Sequence, residues 1–292
     1  MTEQESQPVS ERLSEFTTAQ EGPFASDELS EFSTADEDRA ETKGEFQSKT
    51  AGLKRQASSA FPYMRKITAY FVAGIGTWRS GNTFGSAMQL LQERFRQEGR
   101  GEIHTAALYP YGVMDHLPRH MVRWTMFRQA LQVIYDMYRR PERSPAILRL
   151  TQEIRQDYGI NGSGDIVLIG HSGGGVAAYG AARLLSEQGY SVPHVIQVGS
   201  PECHVRQEWR ERVYRLRQPG WSDWATWWRF SLFRPPLRRD TVAIEKGHPY
   251  YFCSATKDKE GVSNLSKVMD KIWSGLQYDT EFKRQPELEP NV

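Results

Sequence analysis

Residues 165–185 read DIVLIGHSGGGVAAYGAARLL, and the order of residue types in this stretch decides how the surrounding chain folds. Asp165 to Ile169 is a short β-forming run, His171 and Ser172 interrupt it with a polar pair, three glycines follow, and an alanine-rich helical pattern closes it. A strand that passes straight into a helix through glycine needs a sharp turn. Packing alone does not require a polar pair at that corner. Ser172 is therefore either an ordinary turn residue or a nucleophile lifted above the edge of a sheet.

Gly170-His171-Ser172-Gly173-Gly174 fits G-x-S-x-G, and it has the strand before and the helix after that give the pattern its chemical meaning. Glycine two places either side of the serine leaves room for a strained backbone. The start of the helix would aim free N–H groups at the reacting atoms, with the Gly173 amide as an oxyanion donor. Ala177, Ala178, Ala181 and Ala182 let that helix lie close to the sheet. The stretch lacks both the Lys-Ser/Thr of a P-loop and the glycine spacing of a dinucleotide site.

Outward from this point, strands and helices alternate. Upstream, ITAYFVAGIG from Ile67 is a predicted strand. A helix carrying Phe84, Met88, Leu91 and Phe95 follows, then a strand in GEIHTAALYPYG. A long Arg- and aromatic-rich helical region, RHMVRWTMFRQALQVIYDMYRR, is broken by Pro141 and Pro145 before a second helix, AILRLTQEIRQDYG. Downstream come a strand PHVIQVGSP, a polar helix near VRQEWRERV, a strand VYRLR, a strand-like TVAIEK and a last helix around SNLSKVMDKIWSGL. This alternation predicts βαβ crossovers: an α/β fold with a mainly parallel central sheet and helices on both faces.

Residues 1–60 differ in kind. The first 50 hold 13 acidic and 4 basic side chains, leaving 33 basic against 23 acidic beyond them. Low aliphatic content predicts a disordered acidic tail ahead of a domain at 61–292. The tail repeats itself, LSEFTTA at 13–19 and LSEFSTA at 29–35, either as duplicated low-complexity sequence or as a docking motif for a protein partner. Cys203 and Cys253 have neither C-x-x-C spacing nor a secretory context, which argues against a disulfide framework or zinc. With no apolar leader or membrane-length segment, the expectation is a soluble, cytoplasmic protein.

On the GHSGG elbow and the alternation around it, the chain resembles the α/β-hydrolase superfamily, on its esterase and lipase side, over roughly residues 65–277. The resemblance implies an acid and a histidine after the serine, each on a loop that follows a later strand. His194, His204 and His248 are the histidines beyond the motif. His248, in EKGHPYYF between the strand-like TVAIEK and the last helix, fits the late histidine loop, where it would take the Ser172 proton. Asp223, in the loop after VYRLR, is the first choice for the acid. Asp240, between Arg239 and the strand-like TVAIEK, is the second and is expected to ion-pair with its arginine neighbours. The second oxyanion donor falls in the loop after the first strand, where relatives often carry His-Gly. This chain has Ala73-Gly74, which makes Ile75 the aligned donor, with Gly76 or Thr77 as rivals.

A Trp-rich segment near 219–240 holds Trp221, Trp224, Trp227 and Trp228 and reads as a lid or cap that could touch lipid. Asp115, His116 and His120 have ligand chemistry, but Pro118 intervenes and no HExxH is present, so no metal is expected and no cofactor is called for. The aromatic, Arg-rich helix around Trp124 reads as amphipathic rather than as a nucleic-acid patch. The function expected is a serine hydrolase acting on small-molecule or lipid carboxylic esters through an acyl-enzyme on Ser172. The alternatives are an acyltransferase with the same nucleophile and a non-catalytic scaffold on the same fold.

Overall fold

The computed structural model describes residues 66–77, 82–219 and 235–282. The proposed tail, the segment Trp221 to Phe233 and Asp223 lie outside the described residues.

The elements run β1 (Ile67–Val72), α1 (Gly85–Gln97), β2 (His104–Leu108), α2 (Arg119–Tyr138), α3 (Pro145–Asn161), β3 (Asp165–His171), α4 (Gly173–Glu187), β4 (His194–Val198), β5 (Val213–Arg217), β6 (Arg238–Thr241) and α5 (Asn264–Phe282). The strands form one sheet in the order β2-β1-β3-β4-β5-β6, and every neighbouring pair is parallel. This is the expected α/β architecture. From β1 the chain first moves outward to β2 and then crosses back to β3. The order reverses between β1 and β3, and such a reversal opens a crevice at the carboxyl ends of the two strands. In the β1–β3 register, Val72 lies opposite Gly170, so the end of β1 and the Ser172 corner meet at that crevice.

Strands buried on both faces need a core on each side. Alternation along β1 supplies both: Tyr70 and Val72 point into one core with Val133, Ile147, Leu150 and Ala178. Ala69 and Phe71 point into the other, with Leu91, Phe95, Val268 and Ile272. Thus α2, α3 and α4 cover one face while α1 and α5 cover the other. The prolines act as expected. After α2 ends at Tyr138, Pro141–Arg143 makes a single 3₁₀ turn, and Pro145 opens α3 behind Ser144, whose side chain accepts from the Ile147 amide at 3.2 Å.

Three expectations need correction. VRQEWRERV is not a helix: only Gln207–Trp209 turns, as one 3₁₀ turn that buries Trp209, before the chain straightens into β5. The last strand is Arg238–Thr241 rather than TVAIEK. The Val242 amide still donates to the Arg217 carbonyl at 2.9 Å, but beyond it the alternation of Val242 and Ile244 reflects burial against the α1–α5 core. Finally, α2 turns Gln129, Val133, Asp136 and Met137 inward and leaves most of its aromatic side chains exposed, the reverse of an ordinary amphipathic helix.

Candidate active site

Ser172 adopts φ 54° and ψ −132°, a conformation unfavourable for any residue with a Cβ. The surroundings hold it there. Its amide donates to the Val198 carbonyl (2.9 Å) and its carbonyl accepts from the Gly175 amide (3.0 Å). A Cβ at Gly170 would lie 2.4 Å from the Gly175 Cα, and one at Gly174 would lie 2.2 Å from the Val72 carbonyl oxygen, so only glycine fits either place.

His248 opens a 3₁₀ turn after β6, directly following Lys246 and Gly247, both at positive φ. Its Nε2 lies 2.8 Å from Ser172 Oγ. If the serine hydroxyl donates in this pair, Nε2 carries no proton and can accept one. His194 and His204 are placed otherwise: His194 is buried at the start of β4 and His204 is exposed in the following loop.

His171 lies closer to this pair than its variable place in the motif implies. Its ring stacks on that of His248, with centroids 5.2 Å apart and planes at 25°, and its Nε2 is 3.3 Å from the His248 carbonyl oxygen. A carbonyl can only accept, so that contact is a hydrogen bond when His171 is protonated on Nε2. Tyr251 and Phe252 meet the His171 ring edge-on, each at 5.7 Å. The fully buried Tyr251 also reaches the next strand end: its hydroxyl accepts from the Gln218 amide (2.8 Å), while Gln218 Nε2 donates to the Ile244 carbonyl (3.0 Å). The first residue after β5 is thereby fastened to the loop that carries His248.

Of the two candidate acids, Asp240 is described. It lies on β6, where Oδ2 pairs with Lys271 Nζ at 2.7 Å and accepts from the Tyr214 hydroxyl at 3.4 Å. Oδ1 accepts from the Thr241 amide at 2.7 Å. Its ion pair is therefore with Lys271 and not with Arg238, whose Nη2 donates to the Gly275 carbonyl. Burial pushes the Asp240 carboxyl up, but Lys271 and the Thr241 amide outweigh it and hold the group below the usual carboxylate range.

The loop after β1 lies against the elbow. A Cβ on Gly74 would be 2.8 Å from Ser172 Cβ and 3.1 Å from the Gly173 nitrogen. Glycine at 74 lets the backbone approach the nucleophile. Of the rival amides, Gly76 is occupied: it donates to Gln129 Oε1 at 2.9 Å. Gln129 Nε2 donates in turn to the Tyr111 carbonyl at 2.7 Å. The Tyr111 hydroxyl reaches Asp136 Oδ2 at 3.1 Å and lies 3.4 Å from the Gly173 carbonyl. Gln129 and Asp136 thus brace both the loop and the first turn of α4. Sequence reasoning missed them, because no local pattern relates a glutamine on one helix to a glycine 53 positions earlier. Burial pushes the Asp136 carboxyl above its ordinary range, and hydrogen bonds from Ser144 and Tyr111 offset this only in part.

Among the described residues, no group of three or more His, Cys, Asp or Glu side chains is arranged to hold an ion.

The sheet order, the crossovers and the serine corner together are those of an α/β-hydrolase fold. No protein-family model matches the chain. It is 30% identical over 110 residues to the probable anguibactin biosynthesis thioesterase AngT of Vibrio anguillarum, a match covering 34% of this chain and 42% of the relative. The chain thus spans about two-fifths of the length of the curated relative it matches. Among solved structures, a NocB thioesterase domain in covalent complex with a fluorophosphonate nocardicin G analog aligns with a TM-score of 0.40 at 17% identity, covering 72% of this chain and 94% of that one. YbtT, a type II thioesterase from the yersiniabactin pathway, aligns with a TM-score of 0.37 at 11% identity, covering 76% and 96%.

Proposed function

We propose that the protein is a serine hydrolase that cleaves acyl thioesters through an acyl-enzyme on Ser172. The observation that carries this reading is the Ser172–His248 pair, a nucleophile and a base within 2.8 Å on a strained strand-to-helix corner. The relative AngT is named a thioesterase, which favours a C–S over a C–O scissile bond.

In this reading His248 Nε2 takes the proton from Ser172 Oγ as the oxygen attacks the thioester carbonyl. The charge that develops on the carbonyl oxygen is met by the amides of Gly173 and Ile75, fixed donors that need no reorganisation. On collapse the C–S bond breaks, and the thiolate leaves as a thiol with the proton that His248 held. Water then attacks the Ser172 ester, His248 takes its proton and returns it to the serine oxygen, and a carboxylic acid departs. Asp223 is the acid we assign to hold the histidine tautomer. Two observations support the choice: Asp240 is engaged by Lys271, and Gln218, where the chain leaves β5 five residues before Asp223, is tied to the histidine loop.

The test combines labelling with turnover. A fluorophosphonate should label the intact chain and leave Ser172→Ala and His248→Ala unlabelled. Thiol release from a series of acyl-thioesters of increasing chain length should exceed cleavage of the matching p-nitrophenyl esters. Asp223→Asn should lower kcat by about a thousandfold, the scale of a lost orienting acid, whereas Asp240→Asn should leave it within about twofold. Labelling that survives Ser172→Ala would sink the mechanism. Equal loss in the two aspartate variants would sink the choice of acid.

A further inference from the structure

Helix α2 carries an unusual outer face. Trp124, Phe127, Leu131, Tyr135 and Tyr138 recur at spacings of three and four, which at 100° per residue gathers them into one stripe about 21 Å long. The stripe lies opposite Gln129, Val133 and Met137, the residues that α2 buries. Trp124 is 60% exposed and Phe127 52%, and the two rings stack on one another with centroids 5.8 Å apart. Clustered exposure of this kind marks a surface that meets something apolar.

The charges on the same helix narrow what that is. Arg123 flanks one side of the stripe, Arg128 and Arg139 flank the other, and all three are exposed. The one acid in α2, Asp136, is buried. The outer surface of the helix is therefore apolar down the middle and cationic along both margins. A second copy of the chain would bring like charges together, which is unfavourable. A nucleic-acid backbone would satisfy the arginines but offers nothing to aliphatic Leu131. A bilayer with anionic headgroups offers both partners at the right depths: phosphates for the arginines, and the headgroup–acyl boundary for the tryptophan, tyrosines and leucine. Among the described residues no helix is long and apolar enough to cross a membrane, which fits a helix lying in the surface.

We infer that α2 is a membrane-surface contact, seating the protein on anionic phospholipid through the Trp124–Tyr138 stripe and its flanking arginines. The inference does not rest on the hydrolase reading. The opposite side of the same helix braces the loop at Gly76 and packs Val133 against Gly173, so the bound surface would lie one helix diameter from the candidate active site.

The test uses the full chain with Ser172→Ala, so that its outcome is independent of catalysis. Co-sedimentation with phosphatidylcholine vesicles is compared with that for vesicles containing phosphatidylglycerol. Binding is expected only with the anionic lipid and is expected to weaken as salt is added. Trp124→Ala/Phe127→Ala and Arg123→Glu/Arg128→Glu should each reduce it by about tenfold or more. These side chains are exposed, so thermal melts should not move. As a folding-neutral check, Trp124→Phe should lose part of the fluorescence quenching by brominated phosphatidylglycerol. The inference is overturned by absence of anionic-vesicle binding, by binding that both double variants retain, or by quenching unchanged in Trp124→Phe. Capture of soluble poly-glutamate with no vesicle binding would also overturn it and would assign the face to an acidic protein.

Discussion

At Ser172 the backbone gives up stability for reactivity. A non-glycine residue held at positive φ costs about 1–3 kcal/mol and persists only where its neighbours enforce the conformation, as Val198, Gly170 and Gly174 do here. Ser172→Gly should therefore raise stability relative to Ser172→Ala by about 1 kcal/mol while being equally inactive, as chemical denaturation of the two would show. His171 makes the complementary case. Its motif position carries no catalytic meaning in the sequence, and its stacking on His248 joins residues 77 apart, so no local spacing could disclose it. If the ring and its hydrogen bond steady the base, His171→Phe should keep the stack, lose the bond and lower kcat by roughly tenfold with KM little changed. The fluorophosphonate labelling rate should fall in parallel. A labelling rate equal to that of the native chain would reduce His171 to packing.

Among the elements, α2 connects the most. Its inner face holds the Gly76 loop through Gln129 and the first turn of α4 through Val133, Asp136 and Tyr111. Gln129→Ala should free both the Gly76 amide and the Tyr111 carbonyl, costing about 1–3 kcal/mol of stability and lowering kcat more than it raises KM. Asp136 adds a pH dependence of definite sign. Its folded pKa is raised, so its full contribution to stability is present below the unfolded carboxylate pKa and is lost as pH rises through the folded value. Asp136→Asn should remove that loss: its melting temperature relative to the native chain should be higher at pH 8 than at pH 4. A native chain whose melting temperature changes no more between these values than that of the variant would contradict the assignment. None of this could be read from RHMVRWTMFRQALQVIYDMY, because sequence patterning alone assigns its aromatic residues, and not Gln129 or Asp136, to the core. The short turn at Gln207–Trp209 and the displaced β6 were illegible for a related reason: tertiary burial of Trp209, Val242 and Ile244 imitates the periodicity of regular structure.

On the scale of the whole molecule, the sheet was legible because β1, β3 and β4 are nearly continuous apolar runs. Such runs call for cover on both faces, and the helices between them provide it. The first strand is anchored from its start: the Lys66 carbonyl accepts from the Asp165 amide at 2.8 Å, and Ile67 lies in register with Asp165. Among the described residues, the six strands and both cores are built from Lys66 onward. Removing residues 1–60 should therefore leave the melting temperature and Ser172 labelling unchanged. The electrostatic consequence is larger. Those 60 residues hold 13 acidic and 6 basic side chains, so their removal takes the formal net charge from +1 to about +8. If α2 seats the protein on anionic lipid, the shortened chain should bind phosphatidylglycerol vesicles more tightly than the full chain, with the difference narrowing as salt rises and the Debye length shrinks. Equal binding of the two chains at low salt would mean that the contact is apolar alone and that the arginines beside the stripe contribute nothing to it.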